Sequence, residues 1–152
     1  MHNSTDICSM KVEYDLNEVE NVARSIWKAF SAQHIWALHG DMGVGKTTFV
    51  RALCQSVLES TDNISSPTFA LINQYESATV GNICHIDLYR LGDTEEAINA
   101  GVLDAIENAS LSLIEWPEIA PELFPENTLH LYFSLQDNNK RGLESKLSSS
   151  NQ

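Results

Sequence analysis

The stretch that most constrains this chain is "HGDMGVGKTTFVRAL", residues 39–53. Within it, Gly40-Asp41-Met42-Gly43-Val44-Gly45-Lys46-Thr47 satisfies G-x-x-x-x-G-K-[ST] in full. That pattern works only between a strand and a helix. Glycines let the backbone curl around an anion with its N–H groups pointing inward, and the following helix presents its positive end to the same oxygens. The flanks comply: "HIWALHG" is a short apolar run, and Phe49, Val50, Leu53, Val57 and Leu58 follow at amphipathic spacing. Asp41, Met42, Gly43, Val44, Gly45, Lys46, Thr47 and Thr48 are therefore the expected nucleotide-binding segment. In it Lys46 reaches the β- and γ-phosphates and the Thr47 hydroxyl is placed to ligate magnesium. Thr48 either touches the α-phosphate or merely sits on the helix.

A strand, loop and helix of this kind belong to an α/β chain, and the remaining periodicities agree. Met10, Val12 and Tyr14 alternate as in a half-buried strand. "LNEVENVARSIWKAF" carries Val19, Val22, Ala23, Ile26, Trp27 and Phe30 at helical spacing, with Asn17 as the expected N-cap and Glu20 three residues on. "TFALINQYE" and "NICHIDLYR" read as an antiparallel hairpin about "SATVG". "DTEEAINAGVLDAIENA" reads as one or two short helices around Gly101, "LSLIEW" as a buried strand, and "NTLHLYFSL" as the final strand. The sum is a three-layer α/β/α sandwich with a mixed sheet, P-loop NTPase-like. The expected organisation is a single domain over residues 1–136, followed by a polar tail, residues 137–152, expected to be flexible.

Charge restricts what such a domain binds. With 21 Asp and Glu against 9 Lys and Arg the formal charge is -12, and no Lys/Arg cluster interrupts it. Nucleic-acid phosphates are repelled, so tight, direct binding of DNA or RNA by this chain alone is not expected. A triphosphate is met locally instead, by backbone dipoles, one lysine and a metal. No window approaches the roughly 20 apolar residues of a membrane helix, and the polar "MHNSTDICSMK" lacks the basic and apolar regions of a signal peptide. The expectation is a cytoplasmic protein, away from membranes. Cys8, Cys54 and Cys84 are too far apart for a zinc site and read as reduced, buried thiols.

Hydrolysis needs, beyond a phosphate loop, a carboxylate near the metal and a group that orients water. Glu115 ends the apolar run "LSLIEW", at the strand end where ligands gather in open α/β sheets. In "NICHIDLYR" a period of two puts Cys84, Ile86 and Leu88 on one face and His85, Asp87 and Tyr89 on the other. Glu115 is the better candidate for the metal-side carboxylate, and either acid is equally at home as a solvated carboxylate. His85 is more ordinarily a hydrogen-bonded structural histidine. Thr68 in "SSPTF" is a candidate for a γ-phosphate or water contact, although Ser-Ser-Pro is also an ordinary turn signal. Trp116 either fills core or covers a nucleotide.

"GDMGVGKTTFVRAL", "SSPTFALINQYE", "HIDLYRL" and "LIEWPE" stand in an order and spacing that resemble the TsaE (YjeE) family, over residues 10–135. The resemblance implies a P-loop ATPase of bacterial tRNA threonylcarbamoyladenosine biosynthesis. Such a protein binds ATP and Mg2+, hydrolyses slowly, and acts with TsaB and TsaD to reset or remodel their complex between turnovers. By the same resemblance Lys46 and Thr47 keep their phosphate and magnesium roles, Glu115 is a Walker B-like magnesium ligand, and Asp87 is a catalytic acid near the γ-phosphate. Thr68 corresponds to a switch-like threonine and Trp116 to the tryptophan beside the acid. Met42, Val44 and the loose segment "EEAINAGVLDAI" depart mildly from the family pattern.

Rival readings fit less well. A small-molecule kinase usually carries several lid arginines, whereas Arg24, Arg51, Arg90 and Arg141 are spread along the chain. A GTPase needs N-K-x-D, which "NNKRG" does not supply. A nucleotide-dependent scaffold without turnover is separated from a slow ATPase only by kinetics.

Overall fold

The computed structural model describes residues 9–147. Seven strands form one mixed sheet: β1 Ser9–Tyr14, β2 Ile35–His39, β3 Ile72–Ser77, β4 Gly81–Asp87, β5 Leu111–Glu115, β6 Leu129–Leu135 and β7 Arg141–Leu147. Their spatial order is β1-β7-β6-β2-β5-β4-β3. The inner pairs β6·β2, β2·β5 and β5·β4 are parallel, and β1·β7, β7·β6 and β4·β3 are antiparallel. The helices are α1 Val19–Phe30, α2 Lys46–Arg51, α3 Thr94–Asn99 and α4 Val102–Asn108, and α2 runs on into a π-helical turn, Ala52–Val57.

Alternation along the strands divides the core into two layers, one on each side of the sheet. Trp36, Leu38, Ile83, Leu113 and Leu131 meet the apolar stripe of α1, namely Val22, Ala23, Ile26 and Phe30, together with Phe49, Val50 and Leu53 from α2 and its extension. Cys84, Ile86, Leu88 and Ile114 meet Ala97, Val102 and Ile106 of α3 and α4 on the other side. A helix-sheet-helix sandwich results, as the periodicities imply. Cys54 and Cys84 are buried free thiols, and burial pushes them up to about 12 and about 11, which keeps them protonated. Cys8 lies outside the described residues.

Three sequence expectations are corrected. The segment 137–152, expected as a flexible tail, supplies β7, which fills the sheet between β1 and β6. Leu143 is buried in the larger core layer and Ser145 is fully buried behind β1, so the domain extends to at least Leu147. The strand alternation in "RGLESKL" is diluted by Gly142 and Ser145, which hides it among polar neighbours. The strand 129–135 is accordingly not the last. The entry to α1 is capped two residues earlier than expected: Glu18 accepts from the Asp15 N–H at 2.8 Å, and a 3-10 turn, Leu16–Glu18, precedes the α-helix.

Candidate functional site

The C-terminal ends of β2, β4 and β5 converge beneath a cavity of about 310 Å³. It is lined by Gly43, Gly45, Lys46, Thr47 and Thr48 from the glycine loop, by Asp87 and Glu115 from strand ends, and by Thr68, Trp116 and Arg141. Parallel pairing of β4 with β5 sets Asp87 opposite Glu115, so the two acids reach one site from adjacent strands. The loop takes its shape from backbone that only glycine adopts easily, with φ of 146° at Gly40, 77° at Gly43 and 112° at Gly45. At Gly40 a Cβ would also lie 2.9 Å from the Phe133 carbonyl oxygen, which ties the loop closely to β6.

The charged groups are unusually dry: Lys46 is 5% exposed, Asp87 3% and Glu115 4%. Burial pulls the Lys46 ammonium below its ordinary value, and nearby Glu115 and Asp87 partly oppose that shift. Its Nζ donates to the Gly40 carbonyl and lies 4.6 Å from the centre of the Trp116 ring. Trp116 sits in the left-handed region at φ 58°, directly after Glu115, and this bend turns its ring over the lysine. The ring also packs on the smaller core layer and against Tyr89, at 4.9 Å between centroids, so core and cover are one position.

Both oxygens of Asp87 are engaged. Oδ1 accepts from the Tyr89 N–H at 2.9 Å, and Oδ2 accepts from the Thr68 hydroxyl at 2.8 Å. Since Thr68 spends its hydrogen on Asp87, the Ser66 hydroxyl donates to Thr68, also at 2.8 Å. Thr68 and Asp87, distant in sequence, are thus partners. His85, fully buried, has Nε2 2.8 Å from Glu115 Oε2, as a structural histidine would.

Not every expected residue faces the cavity. The Asp41 side chain is exposed and borders a separate shallow groove with Leu135. Val44 turns its side chain into the core and offers its carbonyl to Arg141 Nε at 2.9 Å. Arg141 itself, with Leu16 and Ser66, lines the cavity and escaped the sequence reading. Its position within the supposed tail concealed it; the available signal was the alternation of Arg141, Leu143 and Leu147.

A glycine loop at the end of a central parallel strand, facing two acids on neighbouring strand ends, defines a P-loop NTPase-like α/β domain. Comparison with known proteins narrows the class. Residues 14–143 match the family model described as "Threonylcarbamoyl adenosine biosynthesis protein TsaE", and the chain belongs to that family. It is 36% identical to the tRNA threonylcarbamoyladenosine biosynthesis protein TsaE of Rickettsia bellii over 82% of this chain and 85% of that one. To the Haemophilus influenzae protein of the same name it is 42% identical, over 59% of this chain and 55% of that one. The crystal structure of Bacillus subtilis YdiB superposes with a TM-score of 0.69 at 21% identity, covering 93% of this chain and 86% of that one, which supports the fold.

Proposed function

We propose that this chain is a magnesium-dependent ATPase that serves tRNA threonylcarbamoyladenosine biosynthesis together with TsaB and TsaD. The observation that carries the reading is the single cavity that gathers Lys46 and Thr47 with the Thr68–Asp87 pair and Glu115. The donor chemistry fits the metal: Thr47 and Glu115 offer a hydroxyl and a carboxylate, the hard oxygen ligands that magnesium takes alongside phosphate oxygens and water. The glycine loop fits the polyphosphate, because its N–H groups and the start of α2 offer positive dipoles.

In this reading the residues divide the work. Lys46 leaves the Gly40 carbonyl for the β- and γ-phosphate oxygens. Arg141, held by the Val44 carbonyl beside the glycine loop, adds positive charge, and Trp116 covers the lysine and excludes water from one side. Thr47 and Glu115 would hold magnesium, whose charge would offset that developing on the phosphate oxygens. Asp87 accepts a hydrogen bond from the attacking water, and Thr68, already bonded to Asp87, holds that water in line. One lysine and one arginine offer limited charge stabilisation, which makes turnover by the isolated chain slow.

The test is steady-state ATP hydrolysis by the chain alone and with stoichiometric TsaB and TsaD. Slow turnover alone that rises with the partners and vanishes in Lys46→Ala supports the proposal. Nucleotide binding without turnover under either condition identifies a scaffold instead. Partners that neither bind nor alter the rate remove the pathway assignment.

A further inference from the structure

Behind the cavity runs a second set of polar contacts that the proposed reaction does not use. The Tyr75 hydroxyl lies 3.1 Å from the Ser65 carbonyl oxygen and 3.0 Å from His85 Nδ1, and His85 Nε2 lies 2.8 Å from Glu115 Oε2. Tyr75 is 3% exposed and His85 fully buried, so the line of contacts from the 65–68 loop to Glu115 is shielded from solvent. A carboxylate accepts, so Nε2–H is the donor and Nδ1 the acceptor of the ring. The one phenolic hydrogen of Tyr75 therefore faces two acceptors at nearly equal distance. Asn73 Nδ2, 3.3 Å from the Ser65 oxygen and 3.3 Å from the Tyr75 oxygen, keeps the carbonyl supplied when the phenol turns to the imidazole.

We propose that Tyr75 and His85 are positioning residues that lock the Ser65–Thr68 loop and the Glu115 carboxylate to one another, setting the site's affinity for a divalent cation. The geometry explains why both ends need this support. Glu115 Oε2 is committed to His85, which leaves Oε1 as the oxygen free to turn to the cavity. The loop is anchored at Ser65 through Tyr75 and at Thr68 through Asp87, so the threonine hydroxyl is held from both sides. Hydrogen bonds behind a ligating carboxylate typically change metal affinity about 10- to 100-fold. A purely structural role for this buried trio would lower stability without changing the response to the metal.

This inference rests on the nucleotide reading above. Its test uses the full chain with Tyr75→Phe, which keeps the ring and removes only the hydroxyl, and His85→Gln, which keeps a donor toward Glu115 but cannot reach Tyr75. ADP affinity is measured by calorimetry in EDTA and across a magnesium titration, and amide hydrogen exchange of residues 64–68 is followed in the nucleotide-free chain. The expected result for Tyr75→Phe is unchanged metal-free ADP affinity, a magnesium midpoint raised about tenfold, and faster exchange in the loop. His85→Gln leaves Tyr75 bonded to the Ser65 carbonyl, so its loop exchanges more slowly than in Tyr75→Phe and its magnesium midpoint stays nearer wild type. Wild-type magnesium response with an identical response and unchanged exchange in Tyr75→Phe overturns the inference alone. Wild-type ADP affinity that ignores magnesium overturns the magnesium assignment and the inference with it, and no ADP binding at all overturns the nucleotide reading as well.

Discussion

Lys46 and Asp87 sit in one cavity yet answer differently to substitution. Lys46→Ala removes the cation proposed to meet the phosphates, and the expected result is loss of ATP binding by calorimetry. Asp87→Asn keeps the volume and one acceptor oxygen for the Tyr89 N–H, but its Nδ2 cannot accept from the Thr68 hydroxyl, and it accepts a proton from water poorly. It is expected to retain ATP binding and lose roughly 100-fold or more in turnover, the ordinary contribution of a positioned base. A second residue-level expectation concerns His39, whose Nε2 lies 2.9 Å from His130 Nδ1 while its ring stacks on Tyr132. Burial first, then the neighbouring His130 and Lys46, lower its pKa to about 4. The unfolded chain takes up a proton near pH 6.5 and the folded chain does not, so this group's contribution to stability is full above that pH and declines as pH falls toward 4. Thermal melts between pH 7 and pH 5 should show falling stability, and His39→Gln should flatten the slope. The phosphate loop, the two acids and Thr68 were legible as residues, because strand ends and glycine spacing identify themselves. Their pairing was not: that Thr68 bonds Asp87 and His85 bonds Glu115 follows from the register of β4 on β5 and from the fold of the loop.

Among the elements, β7 separates the two readings of the chain's last part most cleanly. Leu143 is 2% exposed within the larger core layer. Leu143→Ala should cost about 2–5 kcal/mol in denaturant unfolding, whereas a substitution in a mobile tail stays within about 0.5 kcal/mol. The strands and helices with a clear apolar pattern, β2, α1, α4 and β5, were readable. Two features blurred the rest. "TFALINQYE" looks like one strand, but Leu71 adopts φ 70° and the strand begins only at Ile72. That bend frees Thr68 to reach Asp87 instead of joining the sheet. The other is β7, whose single buried leucine and glycine give little pattern.

For the whole molecule, charge and topology matter more than any one contact. A net charge of -12 with one lysine and one arginine turned into the cavity leaves little basic surface for a polynucleotide. Filter binding of tRNA to the isolated chain at physiological salt is expected to be undetectable, and to appear only when TsaB and TsaD are added. The described residues contain no helix long and apolar enough to cross a membrane.

The pairing of Ser9 with Lys146 brings together strands from opposite ends of the described chain. A ribosome delivers β1 first and β7 last, and until β7 emerges both β1 and β6 have an unpaired edge and the cavity lacks Arg141. Until residues 141–147 have been made the cavity stays incomplete, and the open edges of β1 and β6 are an aggregation hazard that this one segment removes.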